Sequence, residues 1–525
     1  METYEHKEAG DNIGIETRDN PYLPRTVEEK EQNLLKNANK FKVRMMQDLD
    51  GVPMPLNLWL SPGDIVALAG DYYTKAGWGL ALKTPGPDCN PNEACEQLLS
   101  IPIEESETKA FQEAYADLAN PSVKESDIKR IYYIEDHLPN LLQQVAYAWT
   151  VKDYGKKLIN NEAHFDPWSL RAYMVGHKSA LNAAELARAC RILSGEKIQG
   201  NQSISQHVSD DLQKIKERID KDRIKYGFSN KSTDTQIFEE LANRYHAKAV
   251  AEELFIMHFY SDHFAGGHLS RIGMLRKSLP EQFGTWGSIL INNMHNEDNT
   301  RSVEAINQYQ AKIPGSTFQM IKELFNAYGD DSYNLSKNDR NANMLVNGMT
   351  ASLSDIYQLI ETGEQPTPEN YGGMSFLASI DYGKRQTQPL LVQGPKGETW
   401  FRSDVKNIKI LSSNEYQEML KNPKDHGYEK LTTFKAFQLV IKLRLLSFYF
   451  NPEVEVLSEK RRNKIELDEE SYRPKTVLKE TSTETYQPKN NPSPEMLQKP
   501  TISENTKQDE PEAEKLETSA IKISI

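Results

Sequence analysis

Cysteine is scarce: Cys89, Cys95 and Cys190 are the three in 525 residues. That excludes a disulfide-built scaffold and fits a chain that folds in a reducing compartment. Cys89 and Cys95 share a Pro- and Asn-rich loop, PGPDCNPNEACEQ, where a small disulfide and two free thiols are equally compatible with the spacing. There is no apolar run of about 18 residues, which excludes a hydrophobic transmembrane helix. The opening METYEHKEAGDNIGIETRDN is charged and lacks the apolar core of a secretory signal, so the expected product is soluble and made in the cytoplasm. Positive charge is also in deficit. With 63 Lys and Arg against 76 Asp and Glu, the net charge is −13, which disfavours a non-specific nucleic-acid binder and leaves room only for a local basic patch. Hydrophobic residues make up 38%, below the roughly 45–50% of globular chains, a range that also counts glycine. The shortfall sits in the two termini, so the middle can still build a large core.

What is there reads mainly as helix. Residues 1–50 are polar and read as a flexible arm. Residues 51–365 carry one helical pattern after another and are expected to form an all-helical domain. It starts at Ser61-Pro62-Gly63-Asp64, a cap followed by proline in the first turn. Residues 366–450 read as a small α+β region. QPLLVQGPKGETWFRSDVKNIKIL alternates about a Gly-Pro-Lys-Gly turn as a β-hairpin does, and LTTFKAFQLVIKLRLLSFYF (431–450) is apolar with Lys435, Lys442 and Arg444 interspersed. A buried helix is the ordinary account of that last stretch; a helix lying on a lipid surface, its basic groups reaching head groups, is the functional one. Residues 451–525 are charged, rich in Pro and Thr and without periodicity, which reads as a disordered tail.

The stretch around which the rest is arranged is AKAVAEELFIMHFYSDHFAGGHLSR, residues 247–271. His258 and Asp262 are four apart, so on a helix they leave one face a turn from each other. Gly266-Gly267 frees the backbone to turn and bring His268 back toward that face. Imidazoles and a carboxylate at one point suit zinc; a helix end with polar groups facing water is the plainer account. Other candidates are spread along the chain. Asp71 follows small apolar residues at the end of DIVALAGDYY, where a carboxylate needs a partner, and is a candidate metal ligand or catalytic base. His164 stands in a link before Asp166-Pro167. His177 lies in a small-residue helix, where a satisfied core histidine is the alternative. His295 is followed by Glu297 and Asp298. Asp330 and Asp331 read as turn residues facing solvent, and His137 as a surface histidine.

Taken together, these residues resemble the zinc-dependent phospholipase C family, whose fold is shared with zinc nucleases of the P1/S1 type. The family motif His-x3-Asp-x5-His matches His258, Asp262 and His268 in both spacings, AHFDPW places His164 at the family's upstream ligand, and MHNEDN places His295 and Asp298 at the downstream pair. The family's usual acid there would fall on Asn299, so Glu297 and Asp298 compete for the role. Secreted members use their processed N-terminal residue and a nearby histidine on one zinc; this chain has no signal peptide to remove, and Asp71 or His177 stands as the substitute. The pattern is most similar to a Legionella and Pseudomonas subgroup that includes effectors delivered into host cells by a type IV system.

The resemblance covers roughly residues 53–350 and implies two or three Zn2+ ions held among Asp71, His164, His177, His258, Asp262, His268, His295 and Asp298, with Asp71 and Asp262 catalytic. It implies hydrolysis of the glycerol-side phosphodiester of phospholipids such as phosphatidylcholine, giving diacylglycerol and a phosphorylated head group. The partners implied are a phospholipid membrane surface and, through the tail, secretion machinery, with no nucleic acid. A nuclease on the same fold and a non-enzymatic protein with structural zinc are the alternatives.

Overall fold

The long helix Asp234–Asp262 forms because its start is capped and its body is rich in small residues. Thr233 accepts from the Gln236 amide while the Gln236 side chain reaches back, a reciprocal cap. Alanines at 242, 247, 249 and 251 are buried, and they let the helix pack closely along Trp168–Leu193, itself lined with buried alanines at 172, 180, 183, 184 and 187. The core grows outward from this pair and is joined by helix Asp339–Thr362. Both central helices are buried nearly all round, as expected for the middle of a large helical protein.

The chain is mainly helical with small sheets. The computed structural model describes residues 1–14, 19–25, 40–70, 72–83, 97–138, 140–200, 202–269, 271–312 and 318–471, all within one compact unit, Met1–Arg473. Among these residues no helix is long and apolar enough to cross a membrane. The expected start at Ser61 is found: Ser61 Oγ accepts from the Asp64 amide at 3.1 Å and Asp64 Oδ2 accepts from the Ser61 amide at 3.1 Å, opening helix Pro62–Ala69. The segments read as helical between 105 and 159 form helices Glu105–Tyr115, Glu125–His137, Asn140–Thr150 and Tyr154–Ile159. The hairpin about Gly-Pro-Lys-Gly is present as Leu391–Gln393 paired with Thr399–Arg402.

Three expectations are corrected. The span 1–50 is not all flexible arm. Thr3–Asp11 is a helix with Thr3, Glu5, His6, Ala9 and Gly10 buried, and Val43–Leu49 pairs antiparallel with Val52–Leu60. The buried positions Thr3, His6 and Gly10 of that first helix recur at helical spacing, but the charged residues between them read as a solvated segment. The second correction is inside the region read as all-helical: Val303–Lys312 and Phe318–Ala327 form an antiparallel hairpin, extended by Ala378–Ile380. Third, the tail does not begin at 451, because Glu453–Val454 pairs with Asn407–Ile408 and Glu459–Ser471 is helical. The rest of the tail, and the Cys89/Cys95 loop, lie outside the described residues.

Residues 431–450 follow neither reading alone. Ala436, Leu439 and Val440 are buried against a small core that includes Leu290 and Ile291, while Phe434, Leu445, Phe448 and Tyr449 are each more than 60% exposed.

Candidate metal centre

The centre is built at the point where the long helix ends. His258 is fixed by its far nitrogen: Nδ1 lies 2.8 Å from the Val66 carbonyl, which only accepts, so Nδ1 carries the proton and Nε2 presents its lone pair. That Nε2 is 3.5 Å from Asp262 Oδ2. The helix Pro62–Ala69 therefore aims His258, and Gly70 at its end is what lets the ring in. A Cβ added at Gly70 would sit 1.8 Å from His258 Nε2.

His6 is aimed in the same way. Ser261 Oγ donates to the His258 carbonyl at 2.7 Å, so it accepts from His6 Nδ1 at 2.7 Å, leaving His6 Nε2 unprotonated and 3.5 Å from Asp262 Oδ1. The His6 and His258 rings stack with centroids 4.1 Å apart. Burial, then the neighbouring His258, holds His6 well below its ordinary pKa, so it is neutral. The ligand atoms of His6, His258 and Asp262 all lie within 4.8 Å of one another in a buried setting, and this group could hold a metal ion. A tetrahedral zinc about 2.1 Å from each donor asks for donors about 3.4 Å apart, close to the 3.5 Å on either side of Asp262.

Two further imidazoles meet the same carboxylate. His164, on a single 3-10 turn Glu162–His164, brings Nδ1 to 2.6 Å from Asp262 Oδ2 and 3.3 Å from His258 Nε2. His268 is returned by the turn Gly266–His268, with Nδ1 at 3.2 Å from Asp262 Oδ1 and 2.9 Å from the His164 carbonyl. This return depends on Gly267. Its amide donates to Asn299 Oδ1 at 2.6 Å, and a Cβ there would stand 2.6 Å from both that oxygen and the His295 carbonyl. Asp262 is 1% exposed. Burial alone would raise its pKa, but His268, His164 and His258 outweigh it and hold the carboxyl well below the usual range.

Beside this group lies a second. His295 stands 4.8 Å from His268 ring to ring, and its Nδ1 is 3.9 Å from Asp330 Oδ2. Burial, only partly offset by Asp330, brings His295 down to about 4. The Met1 nitrogen lies 3.2 Å from Asp330 Oδ1 and 3.7 Å from Asp262 Oδ1. Glu5 locks this corner, accepting from the amides of Ser332 and Tyr333 with one oxygen and from Glu2 with the other, all at 2.8 Å. Asp330, read from the sequence as a solvated turn residue, therefore faces the histidines.

Of the expected ligands, His164, His258, Asp262, His268 and His295 come together, and His177 and Asp298 do not. His177 is enclosed elsewhere, with Nδ1 2.8 Å from Glu253 and Nε2 3.3 Å from Asp355. Asp298 lies 3.1 Å from Arg271, and Glu297 forms a two-armed pair with Arg402. Neither acid takes the place beside His295; Asn299, on the next turn of the same helix, donates to His295 Nε2 at 3.2 Å. Asp71 lies outside the described residues. His6 was not anticipated, because it sits in a span whose charge reads as solvated.

Comparison of the chain with protein-family models, with curated proteins and with solved structures finds no match in any of the three.

Proposed function

We propose that the protein is a zinc-dependent phosphodiesterase of the phospholipase C type, hydrolysing the glycerol-side phosphodiester of glycerophospholipids. The observation that carries this reading is the convergence of His6, His164, His258 and His268 on the buried carboxylate of Asp262. Their donor chemistry fits zinc: nitrogen and oxygen ligands, with the protons of His6 and His258 turned away. His6, His258 and Asp262 would hold one ion. His164, His268 and Asp330 would supply donors to a second or third, with His295, whose Nε2 accepts from Asn299, beside them. Zinc, when bound, supplies Lewis acidity, lowering the pKa of a bound water and offsetting phosphate charge.

The chain's own part is placement and exclusion. Asp262, set by the long helix, is the shared carboxylate. The Val66 carbonyl and Ser261 hydroxyl fix two imidazoles in the tautomer that leaves Nε2 available, and Phe165 stacks on His268 at 4.8 Å, restricting ring motion. More donors are gathered than the four that close a structural zinc site, which favours a catalytic, multinuclear centre over a structural one. Lipid as the substrate is supported by the exposed aromatic and aliphatic face of residues 434–449. Phe434, Leu445, Phe448 and Tyr449 are exposed there, and Lys435, Lys442 and Arg444 lie in the same stretch of sequence, a composition suited to an interface of acyl chains and head groups.

The test is release of phosphorylated head group from mixed phospholipid micelles, with chelator and then zinc. Chelator-sensitive release restored by zinc is expected. Hydrolysis of single-stranded DNA but not of any lipid would transfer the site to a nuclease, and zinc bound with neither activity would leave a structural site.

A further inference from the structure

A second concave site lies away from the histidines, where the helical body meets the C-terminal strands. It is a cleft of about 580 Å³, within the size range of small-molecule sites. Three arginines line it from three separate elements: Arg301 at the last turn of helix Thr285–Arg301, Arg385 just before strand Gln386–Thr387, and Arg462 on helix Glu459–Ser471. Arg385 is partnered, its Nε 3.1 Å from Glu304. Arg301 and Arg462 make no ion pair or side-chain hydrogen bond with any described residue, although the chain carries 76 acidic residues and Glu466 lines the same cleft.

The lining also holds Glu304 and Glu466, and because Glu304 is taken by Arg385, the two unpaired guanidinium groups share the cleft with a single further carboxylate. Arg301 is half-buried there and Arg462 is exposed. A guanidinium offers a planar fork of N–H donors that matches phosphate oxygens two at a time. Thr387 also lines the cleft, as does Ser302, which is held at φ 66°, a backbone conformation that side-chain-bearing residues seldom adopt. Both bring a hydroxyl-bearing side chain to the lining. In a chain of net charge −13, three arginines against two glutamates leave this lining with an excess of positive charge, which favours an anion.

We infer that this cleft binds a phosphate-bearing ligand through Arg301 and Arg462, independently of the metal centre. The shared chemistry is a terminal phosphate carrying more than one negative charge, whether on a soluble compound or on a lipid head group.

The probe is pyrophosphate, titrated calorimetrically into the full chain kept in chelator, and into full-length His258→Ala as a second background without an intact metal centre. Saturable one-to-one binding is expected in both, weakening as salt is raised. The Arg301→Gln/Arg462→Gln variant should bind at least tenfold more weakly, while Lys424→Gln, on the exposed turn Pro423–His426, should bind as the parent does. Absence of saturable binding, or equal affinity in the double arginine variant, would overturn the inference. Flotation with phosphatidic acid vesicles separates the sources: capture lost in the double variant assigns a lipid head group, and capture unaffected by it, with pyrophosphate binding lost, assigns a soluble ligand. Because no hydrolysis is read, failure here leaves the phosphodiesterase reading untouched, and the reverse.

Discussion

Two buried imidazole–carboxylate groups draw on the same helix, Asp234–Asp262, and they are built to opposite ratios. Around His177 one imidazole lies between two carboxylates, Glu253 from that helix and Asp355 from Asp339–Thr362, with Ser352 bridging to Glu253 and Tyr173. Around Asp262 one carboxylate lies among four imidazoles. The first group can balance its charge with protons alone. Burial would lower His177, but Glu253 and Asp355 outweigh it and bring it up to about 9, so the ring is a cation held by two anions. In the second group His164 and His268 give protons to oxygen acceptors, whereas His6 and His258 turn theirs away and present lone pairs. The neutral His6 cannot neutralise Asp262 by taking a proton. A buried histidine beside an acid is thus no sign of a metal by itself; the count of donors against charges separates a helix-to-helix ion lock from a ligand set.

The largest effect should come from removing the shared carboxylate or its first imidazole. Asp262→Ala or His258→Ala should abolish lipid hydrolysis, by about a thousandfold or more if the ions are lost, and lower bound zinc by elemental analysis, with helical circular dichroism mostly intact. Full activity in either variant would sink the site assignment.

The counterpart substitution, His177→Leu, should do the reverse. Removing one partner of a buried ionic group costs about 3–5 kcal/mol, so urea unfolding should shift markedly while zinc content stays at the parent level. Zinc loss in His177→Leu with unchanged stability would reverse the two roles.

The pH dependence sharpens the contrast further. The folded value of His177, about 9, lies above the ordinary 6.5. Its contribution is therefore fully present below pH 6.5 and is lost as pH rises through about 9. If it acts alone the change is on the order of 3 kcal/mol. Unfolding measured across that window should lose this slope in His177→Gln; an identical slope would place the titration elsewhere.

Smaller again is Gly70→Ala. The added Cβ meets His258 Nε2, so zinc affinity should fall by about 10- to 100-fold, the range seen when a ligand's orientation is disturbed, with competition against a chromophoric chelator as the readout. The smallest change should come from Phe434→Ser with Phe448→Ser. These lie on exposed surface, so stability should move by less than about 0.5 kcal/mol, and vesicle binding should weaken while hydrolysis of a soluble short-chain substrate is kept. Unchanged vesicle binding would remove this face from the lipid reading.

Much of the centre was legible before any tertiary contact. Local rules carry the four-residue spacing of His258 and Asp262, the turn at Gly266-Gly267 that returns His268, the cap at Ser61, and the hairpin about Gly-Pro-Lys-Gly, because each is decided within one or two turns of chain. His164 was readable from its place before Asp166-Pro167. The residues that local rules missed or misplaced share one property: their surroundings come from distant segments. His6 is buried only because helix Thr3–Asp11 packs beside Pro62–Ala69 and Ser261, and its own neighbours in sequence are charged. Asp330 turns inward because Glu5, more than 300 residues away, takes the amides of Ser332 and Tyr333. Asp298 and Glu297 look like ligands beside His295 until Arg271 and Arg402 claim them, and His177 until Asp355 arrives from another helix. Sequence by itself determined which residue types are available and which helix faces carry them. Only the tertiary structure decided which histidine gives a proton to a carboxylate and which turns a lone pair toward one, because desolvation and pairing depend on what packs from across the chain.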